Sequence, residues 1–262
     1  MLIDVPLDVQ QKQIDYVPVN EVSIRGYKPT VKGNNLQIRK VVDVLAHAHK
    51  PLICVGGGTI LGNGEQVVRE FANKFHIPVV STMMGIGVMP NDDDLYMGML
   101  GTNGKPHANY AVHECDVLVL VGARVADRAV VKPYKLERRN TTIVHIDVDP
   151  AEIGKNLGTT VPLVGDVHVI FENLLQYEIP GDYTAWNEEL AEKKAAYVDR
   201  RHFNPDFVNP CRFVQTLSGK IGVGHTVTEG VTDWYFKGIE VTVSNEDTLF
   251  VFFFHEVAAL VA

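Results

Sequence analysis

The stretch that decides the fold is Pro51-Leu-Ile-Cys-Val-Gly-Gly-Gly58, an apolar run that ends in three glycines. A strand buried on both faces has an unbroken apolar sequence, and glycine is favoured where the chain turns sharply out of it. Leu36 to His49 before it and Gly64 to Phe75 after it both carry apolar residues at helical spacing. This order of helix, buried strand and helix predicts one unit of a parallel α/β sheet.

The same alternation continues to about residue 177. Further predicted elements are strands at 77–82, 117–121, 142–147 and 161–164, and helices at 109–114 and 167–175. Short buried strands that alternate with helices are joined by right-handed crossovers, which make the strands parallel and place helices on both faces of the sheet. We therefore predict a doubly wound α/β domain over residues 36–177.

The remaining residues divide into three predicted segments. Residues 1–35 are interpreted as an entry strand followed by a linker, and residues 178–209 as a charged, helical linker. Residues 210–262 begin with a short helix-like pattern but show no alternation of strands with helices beyond about Thr228. We expect this last segment to lack the regular α/β organisation of the central part.

Composition and charge argue against several classes of partner. The 24 Lys and Arg stand against 32 Asp and Glu, which leaves no basic excess for a nucleic acid backbone. The three cysteines form no C-x-x-C pair, so neither a zinc ribbon nor a disulfide framework is indicated. The N-terminus does not resemble a signal peptide, and the most apolar window, Thr248 to Ala262, is too short to span a bilayer. We expect a cytoplasmic protein without nucleic acid or membrane partners.

Glycine and polar residues follow the predicted strands at their carboxyl ends. These ends lie along one edge of a parallel sheet, where ligands of this fold class bind. Glycine lets a backbone approach a phosphate closely, arginines bind pyrophosphate, and carboxylates accept hydrogen bonds from ribose or ribityl hydroxyls. The clusters are Gly56-Gly57-Gly58, Ser81-Thr82, Gly122-Ala123-Arg124 with Arg128, Asp147-Val148-Asp149 and Gly165-Asp166.

Two interpretations of these clusters remain open at this point. Each cluster alone is typical of an ordinary turn, whereas five of them at one edge favour a nucleotide-like ligand. The run from Gly56 to Gly62 does not match the G-x-G-x-x-G fingerprint of dinucleotide-binding domains. Asp147 and Asp149 are interpreted as poorly placed for a metal pair.

Several longer motifs carry a family resemblance. The most specific is His145-Ile-Asp-Val-Asp-Pro-Ala-Glu-Ile-Gly-Lys-Asn156. The others are Pro51 to Gly58, Met84-Gly-Ile-Gly87, Gly98-Met-Leu-Gly101, Ala108-Asn-Tyr-Ala-Val112 and Gly122-Ala-Arg124 with Asp127-Arg128. From about Leu36 to Leu175 the chain resembles the central domain of thiamine diphosphate-dependent enzymes, and among them the acetolactate synthase large subunit.

The flanking residues are similar to other parts of the same family. Leu2 to Gln10 resembles the last strand of the preceding pyrimidine-binding domain, and Pro210 to Thr228 resembles the start of the following pyrophosphate-binding domain. Glu229 to Ala262 does not resemble the family, as expected from a frameshifted or truncated reading frame. We expect its apolar end, Thr248 to Ala262, to aggregate or to pack in a non-native way.

The resemblance implies an FAD with a structural rather than a redox role. It places this FAD along Gly56, Gly57, Gly58, Thr82, Met83, Leu100, Gly101, Gly122, Arg124, Arg128, Asp147, Val148, Asp166 and Val167. The chain departs from the family at Thr102-Asn103-Gly104-Lys105, where relatives have Met-His-Gly-Thr, and at Ala126, where they have aspartate. The second change removes a carboxylate that helps to bind the flavin.

The resemblance also implies an activity of the whole enzyme, which is the thiamine diphosphate-dependent condensation of 2-oxo acids with loss of CO₂ in branched-chain amino acid biosynthesis. The family's activating glutamate belongs to the pyrimidine domain. Its Gly-Asp-Gly motif for Mg²⁺ and diphosphate has no match, because Gly165-Asp166-Val167 and Gly181-Asp182-Tyr183 do not continue correctly. We therefore expect no catalytic and no metal-binding residue here, and an inactive isolated chain.

Several partners and functions follow as hypotheses. The thiamine-binding domains would come from missing parts or from companion subunits, and the full-length form would be a homo-oligomer. One alternative is a flavin- or nucleotide-binding module without catalysis. Another is a fragment of a different thiamine diphosphate-dependent decarboxylase or lyase, against which the run from Asp147 to Asn156 argues.

Overall fold

The computed structural model describes residues 4–15, 17–18, 29–125 and 141–198, and the backbone of three strands between 225 and 252. The helices are α1 (Leu7–Gln10), α2 (Asn35–Ala46), α3 (Gly57–Leu61), α4 (Glu65–Phe75), α5 (Pro106–Glu114), α6 (Val167–Leu174) and α7 (Thr184–Ala195), with a 3-10 turn at Met83–Gly85. The strands are β1 (Pro51–Val55), β2 (Val79–Ser81), β3 (Tyr96–Met99), β4 (Val117–Val121), β5 (Thr142–Asp147), β6 (Val161–Val164), β7 (His225–Thr232), β8 (Phe236–Val243) and β9 (Thr248–Phe252).

Six strands form one sheet in the order β3-β2-β1-β4-β5-β6, and every neighbouring pair is parallel. The strand order reverses between β1 and β4, which lie side by side although two other strands separate them in the chain. The prediction of a doubly wound α/β fold is confirmed. Ligands of such sheets bind outside the carboxyl ends of the strands, near the point of reversal.

One strand of this sheet was not predicted. The sequence predicts no element between residues 83 and 108, whereas Tyr96–Met99 forms the edge strand β3. The sequence does not predict this strand because it has four residues, only the first two of which are buried. Its third residue, Gly98, has a φ of +88°, and its register with β2 is irregular.

Two apolar layers cover the faces of the sheet. Successive side chains of β1 alternate between them, with Ile53 and Val55 in the layer of α2, α4 and α6, and Leu52 and Cys54 in the layer of α5 and α7. In the first layer the rings of Phe71 and Phe171 meet edge to face at 5.1 Å between centroids. The fold is therefore a three-layer α/β/α arrangement whose core lies on both sides of the strands.

Helix α7 packs on this core, although residues 178–209 were interpreted as a linker. Trp186 and Leu190 are buried in the second layer, and the Trp186 indole donates a hydrogen bond of 3.0 Å to the carbonyl of Pro51. The Tyr183 hydroxyl, just before the helix, donates to the carbonyl of Leu45 at 2.6 Å. The predicted domain boundary at residue 177 thus leaves out a helix that packs on the sheet.

The predicted entry strand is wrong for the part that the structure describes. Residues 4–6 are irregular and Leu7–Gln10 forms the single-turn helix α1. Pro6 lacks an N–H for a strand ladder and stands directly before the first helical residue, a place that proline tolerates. The described residues from 4 to 15 are exposed, and none of them pairs with a strand that the structure describes.

The three last strands form a separate antiparallel sheet in the order β7-β8-β9. Gly230 pairs with Gly238 in the first hairpin, and Gly238 with Phe252 in the second. No elements were predicted for this region. The helix-like pattern at 210–219 lies outside the described residues. No helix in the part of the chain that the structure describes is long and apolar enough to cross a membrane.

Candidate functional site

The structure brings the predicted site residues that it describes to one edge of the sheet. Each of them stands at or just after the carboxyl end of a strand. They are Gly56, Gly57 and Gly58 after β1, Thr82 and Met83 after β2, Leu100 and Gly101 after β3, Gly122 and Arg124 after β4, Asp147 and Val148 at the end of β5, and Asp166 and Val167 after β6. Arg128 and Ala126 lie outside the described residues.

Three of these glycines pack against one another at the strand reversal. A Cβ atom on Gly56 would lie 2.3 Å from the carbonyl oxygen of Gly122, and one on Gly122 would lie 2.6 Å from the carbonyl carbon of Gly58. Gly122 also has a φ of +54°, which favours glycine. The glycine residues therefore permit contact between the loops after β1 and β4. This loop contact is a second reason for glycine at these positions, and the close approach of a phosphate stays a prediction.

Several backbone amides of the predicted site already have partners within the protein. The amide of Gly58 donates to the carbonyl of Gly122 at 2.9 Å, and that of Leu100 donates to Ser81 at 3.0 Å. The side-chain amide of Asn109 accepts from the N–H of Gly101 at 2.8 Å and donates to its carbonyl at 2.9 Å. These groups shape the edge and do not offer donors to a ligand.

Other donors and acceptors at this edge are available. Among the described residues, no acceptor lies within hydrogen-bond distance of the amides of Gly57 and Met83. Asp147 and Asp166 each use one carboxylate oxygen for a backbone amide of a following turn, at 2.9 and 3.2 Å respectively. The Arg124 side chain is 78% exposed. The edge thus presents the Arg124 cation, the half-buried carboxylate of Asp166 and backbone N–H groups, while the carboxylate of Asp147 is buried at the end of β5.

Exposed apolar side chains are concentrated at the same edge. The large hydrophobic side chains exposed within the described part of residues 29–177 are Val31, Leu36, Ile60, Leu61, Met83, Met84 and Val148. Met83, Met84 and Val148 directly follow β2 or β5, and Ile60 and Leu61 lie in α3, which follows β1. Val31 lies beside the start of α6, because its carbonyl accepts a hydrogen bond from the amide of Asp166, and Leu36 stands in the first turn of α2. Exposed apolar residues grouped at one edge are typical of a surface that another group covers.

Sequence reasoning missed two residues that position Arg124. The Asn156 side-chain amide donates to the Arg124 carbonyl at 2.7 Å. The Glu152 carboxylate lies 3.8 Å from the Arg124 guanidinium and 2.9 Å from the ammonium of Lys155. Both residues belong to the long motif that ends at Asn156. This motif was therefore the sequence signal that could have indicated their role. The structure shows that this motif supports the loop after β4.

His145, in the middle of β5, is buried below the same loops. Its Nδ1 atom accepts a hydrogen bond of 3.4 Å from the amide of Gly154. Burial lowers the pKa of His145 below its ordinary value of 6.5, because the imidazolium would lose its solvation, although Asp147 and Glu152 act in the opposite direction. The ring is therefore neutral at pH 7 and accepts a hydrogen bond within the fold.

This burial predicts a loss of stability at mildly acidic pH. In the unfolded chain His145 takes up a proton near pH 6.5, whereas in the folded chain it does so only at lower pH. The contribution of His145 to the free energy of unfolding is therefore fully present above pH 6.5 and decreases as the pH falls below this value. We expect urea unfolding to show a smaller free energy at pH 5.5 than at pH 7.5. His145→Gln should reduce this difference, while the exposed His47→Gln should not. An equal pH dependence in all three proteins would contradict the prediction.

A second concave surface lies away from this edge. A groove of about 870 Å³ runs between α4 and α6, on the outer side of the domain. Its walls are mainly polar and include Glu70, Lys74, His168 and Glu172. None of the predicted site residues lines it. The strand-end edge therefore remains the candidate site, because it combines the strand reversal, the available polar groups and the exposed apolar residues.

The chain belongs to the thiamine pyrophosphate enzyme family, since residues 38–174, just over half of its length, match the model of the central domain. Its relatives include acetolactate synthases. The chain is 39% identical over 221 residues to a probable acetolactate synthase large subunit of Methanocaldococcus jannaschii, covering 82% of this chain and 37% of the relative. It is 42% identical over 199 residues to an acetolactate synthase of Arthrospira platensis, covering 74% and 33%.

A third relative shows the same pattern. The acetolactate synthase large subunit of Corynebacterium glutamicum is 33% identical over 237 residues, which cover 88% of this chain and 38% of that protein. The chain thus spans little more than a third of the length of the curated relatives that it matches. The predicted resemblance to acetolactate synthase large subunits, through the central domain, is confirmed.

Proposed function

We propose that the chain supplies the central domain of an acetolactate synthase-like enzyme and binds FAD at the carboxyl edge of its sheet. The observation that carries the proposal is that a largely exposed Arg124, the carboxylates of Asp147 and Asp166 and several exposed apolar side chains follow the strands along one edge of the sheet. Five of the seven large apolar side chains exposed within the described part of residues 29–177 follow β1, β2 or β5 in the chain.

The chemistry of these groups fits a flavin dinucleotide. Arg124 would bind the pyrophosphate, and the free oxygens of Asp147 and Asp166 would accept hydrogen bonds from ribityl or ribose hydroxyls. Met83 and Val148, both exposed, would contact the ring systems. Bound FAD would fill this edge with rigid apolar ring systems and an anionic pyrophosphate. It would have a structural role and take part in no redox step. The proposed FAD-binding residues also include Arg128 and Val167, which follow β4 and β6 in the sequence.

The activity of the whole enzyme would arise outside this domain. Thiamine diphosphate with Mg²⁺ would supply the carbanion chemistry. Domains other than the central domain at 38–174, or companion subunits, would bind this cofactor and its metal ion. We propose that the complete enzyme condenses two 2-oxo acids with loss of CO₂, acts in branched-chain amino acid synthesis in the cytoplasm, and is a homo-oligomer. The isolated chain is expected to form no acetolactate.

FAD titration of the purified chain, followed by the change in flavin fluorescence, tests the proposal. We expect saturable binding, and Arg124→Ala should weaken it by roughly tenfold because a charged partner of the pyrophosphate is lost. Arg39→Ala is the matched control, since Arg39 is an exposed arginine on α2 with no described hydrogen bond or ion pair. A folded wild-type chain that does not bind FAD would refute the flavin site.

The same preparation separates the proposal from a non-catalytic module. Thiamine-binding domains of a relative, added to the FAD-loaded chain, should restore acetolactate formation if the chain is an enzyme part. FAD binding without any activity in this mixture would favour a module that binds flavin alone. Equal affinity for ADP and FAD would instead favour a general nucleotide site. These outcomes are distinguished by measuring ligand affinity and product formation separately.

A further inference from the structure

The geometry points to Arg69 as a positioning residue that fixes the turn after β2, residues 82–89, for ligand binding at the carboxyl edge. The inference rests on the proposed FAD site and adds a residue that does not itself lie at that site. Arg69 stands on α4 and is partly buried. Its guanidinium donates hydrogen bonds to two successive carbonyl groups of the turn, those of Gly87 and Val88.

The turn crosses directly over the carboxyl end of β1. A Cβ atom on Gly85 would lie 2.3 Å from the carbonyl oxygen of Val55, and one on Gly57 would lie 3.0 Å from the Cβ of Met84. The turn is thus in close contact with the start of α3, next to the strand reversal. A small displacement of its backbone would move the exposed side chains of Met83 and Met84 and the available amide of Met83.

The hydrogen bonds within the turn are short-range, whereas the side chains of Val88 and Met89 at its distal end are buried in the core. The amide of Gly85 donates to Thr82 at 3.0 Å, and that of Val88 donates to Gly85 at 3.2 Å. The carbonyl groups of Gly87 and Val88 are bound by Arg69 from the side of α4. Since α4 packs into the core through Val68 and Phe71, Arg69 connects the turn to a rigid element.

Arg69 has no acidic partner that would explain its position otherwise. Among the described residues, no carboxylate lies within ion-pair distance of its guanidinium, although Glu65 and Glu70 share its helix. Its polar contacts in that part of the chain are the two carbonyl groups of the turn. Arginine suits this task because its planar group donates to two neighbouring acceptors at once.

The test compares Arg69→Ala with Lys74→Ala in the full chain. Lys74 stands in the last turn of the same helix and also donates to two backbone carbonyls, those of Leu175 and Tyr177, which do not belong to the turn after β2. We expect Arg69→Ala to weaken FAD binding by roughly tenfold and to speed amide exchange in residues 83–88 by a similar factor, whereas Lys74→Ala changes neither. Arg69→Lys keeps the positive charge but lacks the planar group that donates to two carbonyls at once. Its FAD affinity and its amide exchange rate should therefore lie between those of the two alanine variants.

The exchange measurement is made without FAD, so that it does not depend on the proposed function. A wild-type chain that fails to bind FAD would overturn the proposed flavin site. Unchanged amide exchange in Arg69→Ala, measured on the same preparations, would overturn the positioning role of Arg69. If the wild-type chain binds FAD and Arg69→Ala binds it equally well, the positioning role is refuted. If Arg69→Ala does not fold, Arg69→Lys decides between these outcomes by the same two measurements.

Discussion

Replacing Gly56 with alanine is expected to destabilise the domain by about 3 kcal/mol or more. The added methyl group would lie 2.3 Å from the carbonyl oxygen of Gly122 and 2.6 Å from the Cα of Ala123. Both are backbone atoms of the loop that follows the neighbouring strand, so neither can rotate away as a side chain does. The φ of Gly56 is −121°, which suits any residue, and the effect is therefore purely steric.

Gly57→Ala is the matched control for this prediction. It places the same methyl group one residue later, where the nearest atom is the Cβ of Met84 at 3.0 Å. Met84 is exposed and needs to shift by only a few tenths of an ångström to relieve this contact, so the expected loss is less than about 1 kcal/mol. Urea unfolding followed by circular dichroism measures both variants. Similar stabilities of the two variants would show that the loops after β1 and β4 do not pack as described.

Replacing Trp186 with alanine is expected to cost about 3–5 kcal/mol of unfolding free energy. The side chain is 2% exposed, lies in the layer of α5 and α7, and donates a hydrogen bond of 3.0 Å to the carbonyl of Pro51. Its removal would leave a cavity beside the first residue of β1 and an unpaired carbonyl. The ammonium of Lys50, 4.7 Å from the indole centroid, would also lose its aromatic contact.

Two further variants isolate the causes of this effect. Trp186→Phe keeps most of the apolar volume and loses the hydrogen bond, so a loss of about 1–2 kcal/mol is expected. Glu188→Ala, on the exposed part of the same helix, should change stability by less than about 0.5 kcal/mol. If Trp186→Ala unfolds at the same urea concentration as the wild-type chain, then α7 is not part of the packed domain.

The regular part of the fold could be predicted because its signals are local. The runs at 51–55 and 117–121 are wholly apolar and short, which is typical of strands covered on both faces. The edge strand β3 lacks this signal, since it is covered on fewer sides and contains Gly98 with a positive φ. Helix α7 was interpreted as a linker because only two of its side chains, Trp186 and Leu190, are buried.

The candidate site was predicted in its location but not in its details. The polar and glycine residues at the strand ends indicated one ligand-binding edge, and the structure places all that it describes there. The sequence did not distinguish Gly56, whose small size permits loop packing, from Gly57, whose amide is available. It also gave no sign that Arg69, on a helix of the outer layer, contacts the turn after β2.

Sequence alone determined the order of five of the six parallel strands and of the main helices between them, the parallel sheet that this order implies, and the family to which the central residues belong. These properties follow from hydrophobic periodicity and from motifs that are continuous in the chain. Only the tertiary structure decided which backbone groups at the strand ends are already bonded, which side chains remain exposed there, and that α7 closes the second layer. These depend on contacts between residues distant in sequence, such as Gly56 with Gly122 and Trp186 with Pro51, which no local pattern records.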